Sequence, residues 1–324
     1  MPTEEEFTLD SFLFSLNATV PIFAIMILGN IFKRIGLIDD HFASVANRFV
    51  FKVCLPCLVF LDLADTDIRH HFDVKYVGFC FAATLLSILS IWIIAKITLK
   101  DKSSVGAFVQ GSYRSSAAIL GVAFIQNIYG TSGMAPLMII GSVPLYNIFA
   151  VIVLTFESGH DSENSSDNIR RAFINILKNP IIIGIVLGLA ASYLNLSLPG
   201  MLSKSIHNLA ILTSPLALIS IGASFEGRKA IAKIKPTMAA SFLKLLGWAA
   251  IFLPLAVSFG FRDQELMALL IMLGSPCTPA AYIMAKNMDG DDILASSIVV
   301  VTTLLSSVTL TFWIFVLRAM DLIR

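Results

Sequence analysis

Charge is what this sequence has least of. Asp, Glu, Lys and Arg make up 14 % of its 324 residues, against roughly a quarter in a soluble chain. That is too little to cover a water-soluble surface. The net charge of +1 excludes the basic face that a nucleic-acid partner requires. Cysteine is scarce as well. Cys54 and Cys57 form a C-x-x-C with no second pair and no histidine at ligand spacing, so neither a disulfide framework nor a metal site is expected. The histidines (His41, His70, His71, His160 and His207) fall at the ends of apolar stretches or in loops, and no P-loop or Ser–His pair is present. No enzyme activity and no cofactor are expected. A basic leader is also missing: Glu4, Glu5 and Glu6 make the start acidic, and no cleavable signal peptide is expected.

Hydrophobic residues are abundant, at 56 %, and they come in long runs. A bilayer span takes about 20 apolar residues. Runs of that order cover 11–32, 41–61, 76–95, 104–127, 134–156, 179–197, 205–225, 237–260, 266–287 and 293–317. They predict an all-α membrane protein with ten transmembrane helices. Loops after odd-numbered spans hold most of the basic residues, such as Lys96, Lys100 and Lys102, or Arg228, Lys229, Lys233 and Lys235. Positive charge stays cytoplasmic, so both termini are expected outside the cytoplasmic membrane. The polar stretch from Glu157 onward reads as a cytoplasmic linker, 157–178, between two halves, 1–156 and 179–324.

The halves repeat one another. Residues 111–118 read Gly-Ser-Tyr-Arg-Ser-Ser-Ala-Ala and residues 274–281 read Gly-Ser-Pro-Cys-Thr-Pro-Ala-Ala. Pro21 and Gly29 recur as Pro180 and Gly188, and Asn47 before Pro56 as Asn208 before Pro215. Five spans per half is an odd number, so the second half enters the membrane in the opposite sense, as an inverted repeat.

Both Gly-Ser segments lie inside apolar spans and predict helix breaks. Thr278 before Pro279 reads as an N-cap with proline at the first helical position, and Pro276 cannot donate to the preceding turn. In the fourth span the break rests on Ser115, Ser116, Gly111 and Gly121. Broken helices inside lipid persist only where protein or a water-filled cavity pairs the freed backbone, which points to a transport site. Two half-helix N-termini there would offer N–H groups to an anion.

Arg114 stands in the middle of the fourth span, where an arginine costs about 2.5–3.5 kcal/mol, and no carboxylate lies deep in any span. It is read as facing substrate or cavity, with Ser115, Ser116, Ser275, Thr278 and Asn147 as further substrate-binding candidates. Lys52, Lys244 and Lys286 are read as snorkelling to the interface. These features predict a carrier for a small organic anion. The alternatives are a cation-coupled or cation/proton antiport carrier of a related crossover fold, with H+ or Na+ as the ion, or a receptor that binds without moving its ligand.

Leu55-Pro56, Gly111 to Gly121, Pro144-Leu-Tyr-Asn147, Ser214 to Gly222 and Pro279 to Asn287 resemble the auxin efflux carrier family over essentially the whole chain. The short linker resembles bacterial members. The resemblance implies two inverted five-helix repeats and an often dimeric scaffold of helices 1, 2, 6 and 7, hence a homodimer. It also implies a moving transport domain of helices 3–5 and 8–10, with crossing fourth and ninth helices, an elevator-like mechanism and organic-anion substrates such as carboxylates. The chain departs from the family at Ser116, usually Asn, and Ala123, often Pro.

Overall fold

Acidic and amide side chains mark where helices begin. Asp39 accepts the Phe42 amide at 2.7 Å, Asp73 the Lys75 amide at 2.9 Å, and Asp291 the Leu294 amide at 2.9 Å. Asn179 accepts the Ile181 amide across Pro180, the first helical residue. Each cap occupies an orphan donor where the chain enters an apolar run.

The computed structural model describes residues 4–64, 73–117, 122–130, 133–157, 174, 176–194, 196 and 198–323. Gly121 and most of the linker lie outside them. All regular structure among the described residues is helical. In chain order the main helices are α1 (Glu4–Arg34), α2 (Asp40–Ala64), α3 (Val74–Thr98), α4 (Val105–Tyr113), α5 (Val122–Tyr129) and α6 (Ala135–Glu157). Then come α7 (Pro180–Tyr193), α8 (Gly200–Ser224), α9 (Ile234–Ser258), α10 (Asp263–Gly274), α11 (Pro279–Asn287) and α12 (Asp292–Ala319).

Among the described residues, seven stretches are long and apolar enough to cross a membrane: α2, α3, α6, α8, α9, α12, and α10 with α11 taken together. The last of these is the innermost, with 89 % of its apolar window buried. Large side chains such as Ile27, Ile93, Val186, Ile251 and Phe312 point outward instead, as suits contact with acyl chains.

Small residues set the closest helix contacts. α1 packs on α8, where a Cβ on Gly29 would lie 2.4 Å from the Ile219 carbonyl oxygen and one on Gly222 1.9 Å from that of Met26. α2 packs on α7, where a Cβ on Gly188 would lie 2.8 Å from the Phe60 carbonyl oxygen. Apolar helices in lipid gain nothing from being driven out of water. Close backbone approach of this kind supplies the dispersion energy that holds them together.

α2 and α9 each loosen into a π turn, and both turns carry a lysine. Val50–Cys54 in α2 holds Lys52, and Leu243–Gly247 in α9 holds Lys244. Such turns are rare and tend to mark functional positions.

On the side of the α3–α4 loop, Lys233 reaches Asp101 at 2.7 Å and Asp291 at 2.8 Å, and the Ser104 hydroxyl donates to Asp291 at 2.6 Å. This staple joins the starts of α4, α9 and α12. Hydrogen bonding from Lys233, then from Ser103, holds the Asp101 carboxyl well below the usual carboxylate range. Burial alone would lower the Lys233 ammonium, but the two carboxylates outweigh it and raise it.

Three substitutions test these contacts by thermal unfolding of the purified protein. Gly222→Ala should cost about 1–3 kcal/mol by forcing α1 from α8. Gly78→Ala, with open space around its Cβ position, should be neutral or slightly stabilising. Lys233→Met should lower stability at pH 7 by about 1–2 kcal/mol. Because the Asp101 pKa is depressed on folding, its contribution is full above about pH 4 and lost as pH falls further. The variant should therefore show a flatter acid decline, and an unchanged decline would remove Asp101 from the account.

Candidate functional site

Both predicted breaks are present, and they differ in cause. Pro276 and Pro279 disfavour a helical conformation in the residue before each. Ser275 (φ −76°, ψ 160°) and Thr278 (φ −78°, ψ 149°) are accordingly extended, between the end of α10 and the start of α11. In the fourth span no proline acts. Helix α4 stops at Tyr113, and Arg114 (φ −67°, ψ 130°) turns the chain out of it, followed by non-helical Ser115 and Ser116.

Gly111 does not break the helix. It lies within α4, where its missing side chain admits Ile298 of α12: a Cβ there would sit 2.6 Å from the Ile298 Cδ1. Close packing, not chain direction, explains that glycine.

The two breaks cross and hold each other. The Ser116 amide donates to the Pro276 carbonyl at 3.0 Å, and the Ser115 and Ser275 hydroxyls are 2.8 Å apart. The Arg114 Nε–H donates to the Thr278 Oγ1 at 3.0 Å. Thr278 is therefore an N-cap by backbone only, since its hydroxyl serves the arginine and makes no cap bond.

Three successive carbonyls at the end of α10 accept side-chain donors; that of Ile271 also accepts the Ser275 amide at 3.1 Å, and that of Met272 also lies 3.5 Å from the Lys244 ammonium. The Ser115 hydroxyl donates to Ile271 at 3.2 Å, the Tyr146 hydroxyl to Met272 at 3.1 Å and the Lys244 ammonium to Leu273 at 2.7 Å. At the end of α4 the Trp248 indole N–H donates to Ser112 at 2.8 Å. The Cys277 amide, between the prolines, finds the Thr302 hydroxyl of α12 at 3.1 Å. Lys244 thus corrects the snorkelling expectation. It is fully buried and caps a half-helix from a neighbouring element.

Arg114 is 5 % exposed. Its Nη2 donates to the Asn147 Oδ1 at 2.7 Å, and its Nη1 lies 3.4 Å from both the Tyr146 carbonyl and the Met284 sulfur. Asn147 in turn donates to the Val143 carbonyl at 3.0 Å. Every acceptor around the guanidinium is neutral. Among the described residues it forms no ion pair.

A cavity of about 250 Å3 opens beside the crossing. Ser115, Ser116, Thr278 and Pro279 line it, with Tyr146 of α6, Thr213 and Ser214 of α8, Asp62 of α2, and apolar Ile22, Leu58, Val143 and Leu218. Of the nominated residues, Arg114, Asn147 and Ser275 are not in its wall. They stand behind it, with Thr278 reaching both the arginine and the cavity.

Thr213, Ser214, Tyr146 and Asp62 escaped the sequence reading. Thr213 and Ser214 precede Pro215, and Asp62 falls near the end of its span, so only position in the fold marks them. The Thr213 hydroxyl is buried without a hydrogen-bond partner among the described residues.

A broken-helix crossing against a mixed apolar and hydroxyl cavity is accompanied by a match of residues 14–314 to the family described as membrane transport protein. The chain belongs to that family, which is that of the auxin efflux carriers. It is a multi-pass membrane transporter and not an enzyme.

The transporter is 22 % identical over 309 residues to an uncharacterized transporter of Methanothermobacter thermautotrophicus, covering 94 % of this chain and 99 % of the relative. It is 21 % identical over 317 residues to an uncharacterized transporter of Methanocaldococcus jannaschii, covering 93 % and 98 %. A third relative, the lysosomal cholesterol signaling protein of Mus musculus, is 22 % identical over 226 residues, 65 % of this chain and 26 % of that one.

Tyr146→Phe should destabilise the transporter by about 1–3 kcal/mol, because the buried Met272 carbonyl loses its nearer donor and keeps only the Lys244 ammonium at 3.5 Å. An unchanged melting temperature would show that the break does not depend on this bond.

Proposed function

We propose that this transporter carries a small organic anion, with a carboxylate as the simplest fit, through the cavity at the crossing. The observation that carries the reading is the Arg114 guanidinium, buried among neutral acceptors and joined to the cavity wall by Thr278. A buried charge without a counter-charge is costly, and an anion beside Thr278 is the complement that offsets it. Ser116, Ser214 and Thr213 supply hydroxyl donors, while Leu58, Val143 and Leu218 suit the apolar part of an organic acid. Ser275 and Asn147 hold the arrangement from behind.

In this reading the chain forms ten spans as two inverted repeats, with both termini outside. The symmetry of close contacts supports it. The shift in sequence that carries Pro21 to Pro180 also carries Gly29 to Gly188, Pro56 to Pro215 and Phe60 to Ile219. The approach of Gly29 to Ile219 is therefore the image of the approach of Gly188 to Phe60, with the two repeats exchanged. Helices α1, α2, α7 and α8 make these contacts and would form the scaffold. The helices around the crossing would move against them as an elevator.

One observation favours a second reading. Asp62 lines the same cavity, and a carboxylate there could bind a proton or cation that travels with, or in place of, an anion.

The test is flux of labelled mono- and dicarboxylates into proteoliposomes. Arg114→Ala should abolish it with the protein still folded. Asn147→Asp should also abolish it, since a carboxylate at the Oδ1 position would neutralise the guanidinium, at a cost of about 2 kcal/mol or more in anion affinity. Normal flux in both variants would end the anion reading. Flux that requires a sodium or pH gradient and fails in Asp62→Asn would favour the second.

A further inference from the structure

A second cavity, of about 380 Å3, lies between α2 and the end of α11. Ser44, Asn47, Arg48 and Lys52 of α2 line it, with Lys286 and Asn287 of α11. Among the described residues no acidic side chain is in its wall. Lys286 pairs with Asp292. Arg48 and Lys52 form no ion pair or hydrogen bond among the described residues, so two positive charges face one space without a counter-charge.

Three further features point to an anion as occupant. Ser44, Arg48 and Lys52 recur every fourth residue, so α2 presents them as one stripe. Lys52 is carried on the π turn about 18 Å along α2 from Asp40. That depth is tolerable for a charge beside an aqueous cavity and costly against lipid. Asn47, 2 % exposed, has an Oδ1 without a partner while its Nδ2 lies 3.3 Å from the Tyr282 hydroxyl. Turned over, the carboxamide would accept from that hydroxyl and leave an NH2 donor in the cavity wall, the group an oxyanion uses.

The two cavities share a seam. α2 contributes Lys52 to the basic one and Leu58 to the one at the crossing, while α11 contributes Lys286 and Ala280 respectively. Each pair is separated by about 9 Å along its helix. The basic cavity therefore lies on the same α2–α11 seam, displaced from the crossing towards the end of α11.

We propose that Arg48, Lys52, Lys286 and Asn47 form a binding site for an oxyanion, carboxylate or phosphate, that captures the transported anion before it reaches Thr278. Only the capture role rests on the anion-carrier reading; the binding site stands independently of it.

The test is thermal unfolding of the purified full chain in detergent with inorganic phosphate, against chloride at equal ionic strength. Phosphate should stabilise the protein. In the Arg48→Gln/Lys52→Gln double variant about tenfold more phosphate should be needed, equivalent to about 1.4 kcal/mol. Lys52→Arg and Arg114→Ala should both keep the response. Equal responses in wild type and double variant would overturn the site, as would stabilisation no greater than by chloride.

Repeating the titration in nanodiscs separates the sources. A response that persists in both zwitterionic and anionic phospholipid supports capture of a soluble anion. A response abolished by anionic phospholipid gives the site to a lipid headgroup and overturns the capture role. If carboxylate flux is absent while the phosphate response is lost in the double variant, the carrier reading fails and the site survives.

Discussion

Backbone groups freed inside an apolar bundle must be paired by protein, and this constraint shapes the centre of the molecule. When α10 stops at Gly274, the carbonyls of Met272 and Leu273 have no backbone partner, while that of Ile271 keeps the Ser275 amide at 3.1 Å. Ser115 of the fourth-span break, Tyr146 of α6 and Lys244 of α9 come from three separate elements to the carbonyls of Ile271, Met272 and Leu273. Trp248 does the same for α4. Each donor is buried for that reason, and each costs far more to remove than a surface bond, because the carbonyl left behind stays dry.

The same constraint explains why the crossing is polar yet rigid. Ser115 meets Ser275, Ser116 meets Pro276, and Arg114 meets Thr278. Two chain segments that would each be unstable alone complete one another. The guanidinium is unusual among these donors because it brings a full charge that no described carboxylate offsets. An arginine that served only the carbonyls could be replaced by neutral donors. Its retained charge, one residue behind the cavity wall, ties the architecture to the proposed substrate class.

Legibility in the sequence followed how local each cause was. The ninth-span break was readable because Pro276 and Pro279 act on their immediate neighbours. The fourth-span break was readable only by its likeness to the ninth. Gly111 was misread, since a glycine that admits Ile298 and one that ends a helix look alike in sequence. Lys244 was misread for a similar reason: distance from a helix end suggests snorkelling, while the partner that buries it, Leu273, belongs to another element. Asp62 and Thr213 were passed over because a polar residue near a span end is ordinary until the fold places a cavity beside it.

By itself the sequence determined that the chain is helical and membrane-spanning and where proline interrupts it. These properties depend on composition over about 20 residues and on backbone chemistry within one or two. Tertiary structure decided which neighbour each freed group meets: Arg114 with Asn147 and Thr278, Tyr146 with Met272, Gly222 with Met26. Those pairings join residues far apart in the chain, and their energies depend on ångström-scale approach and on exclusion of water, which exist only once the helices have packed.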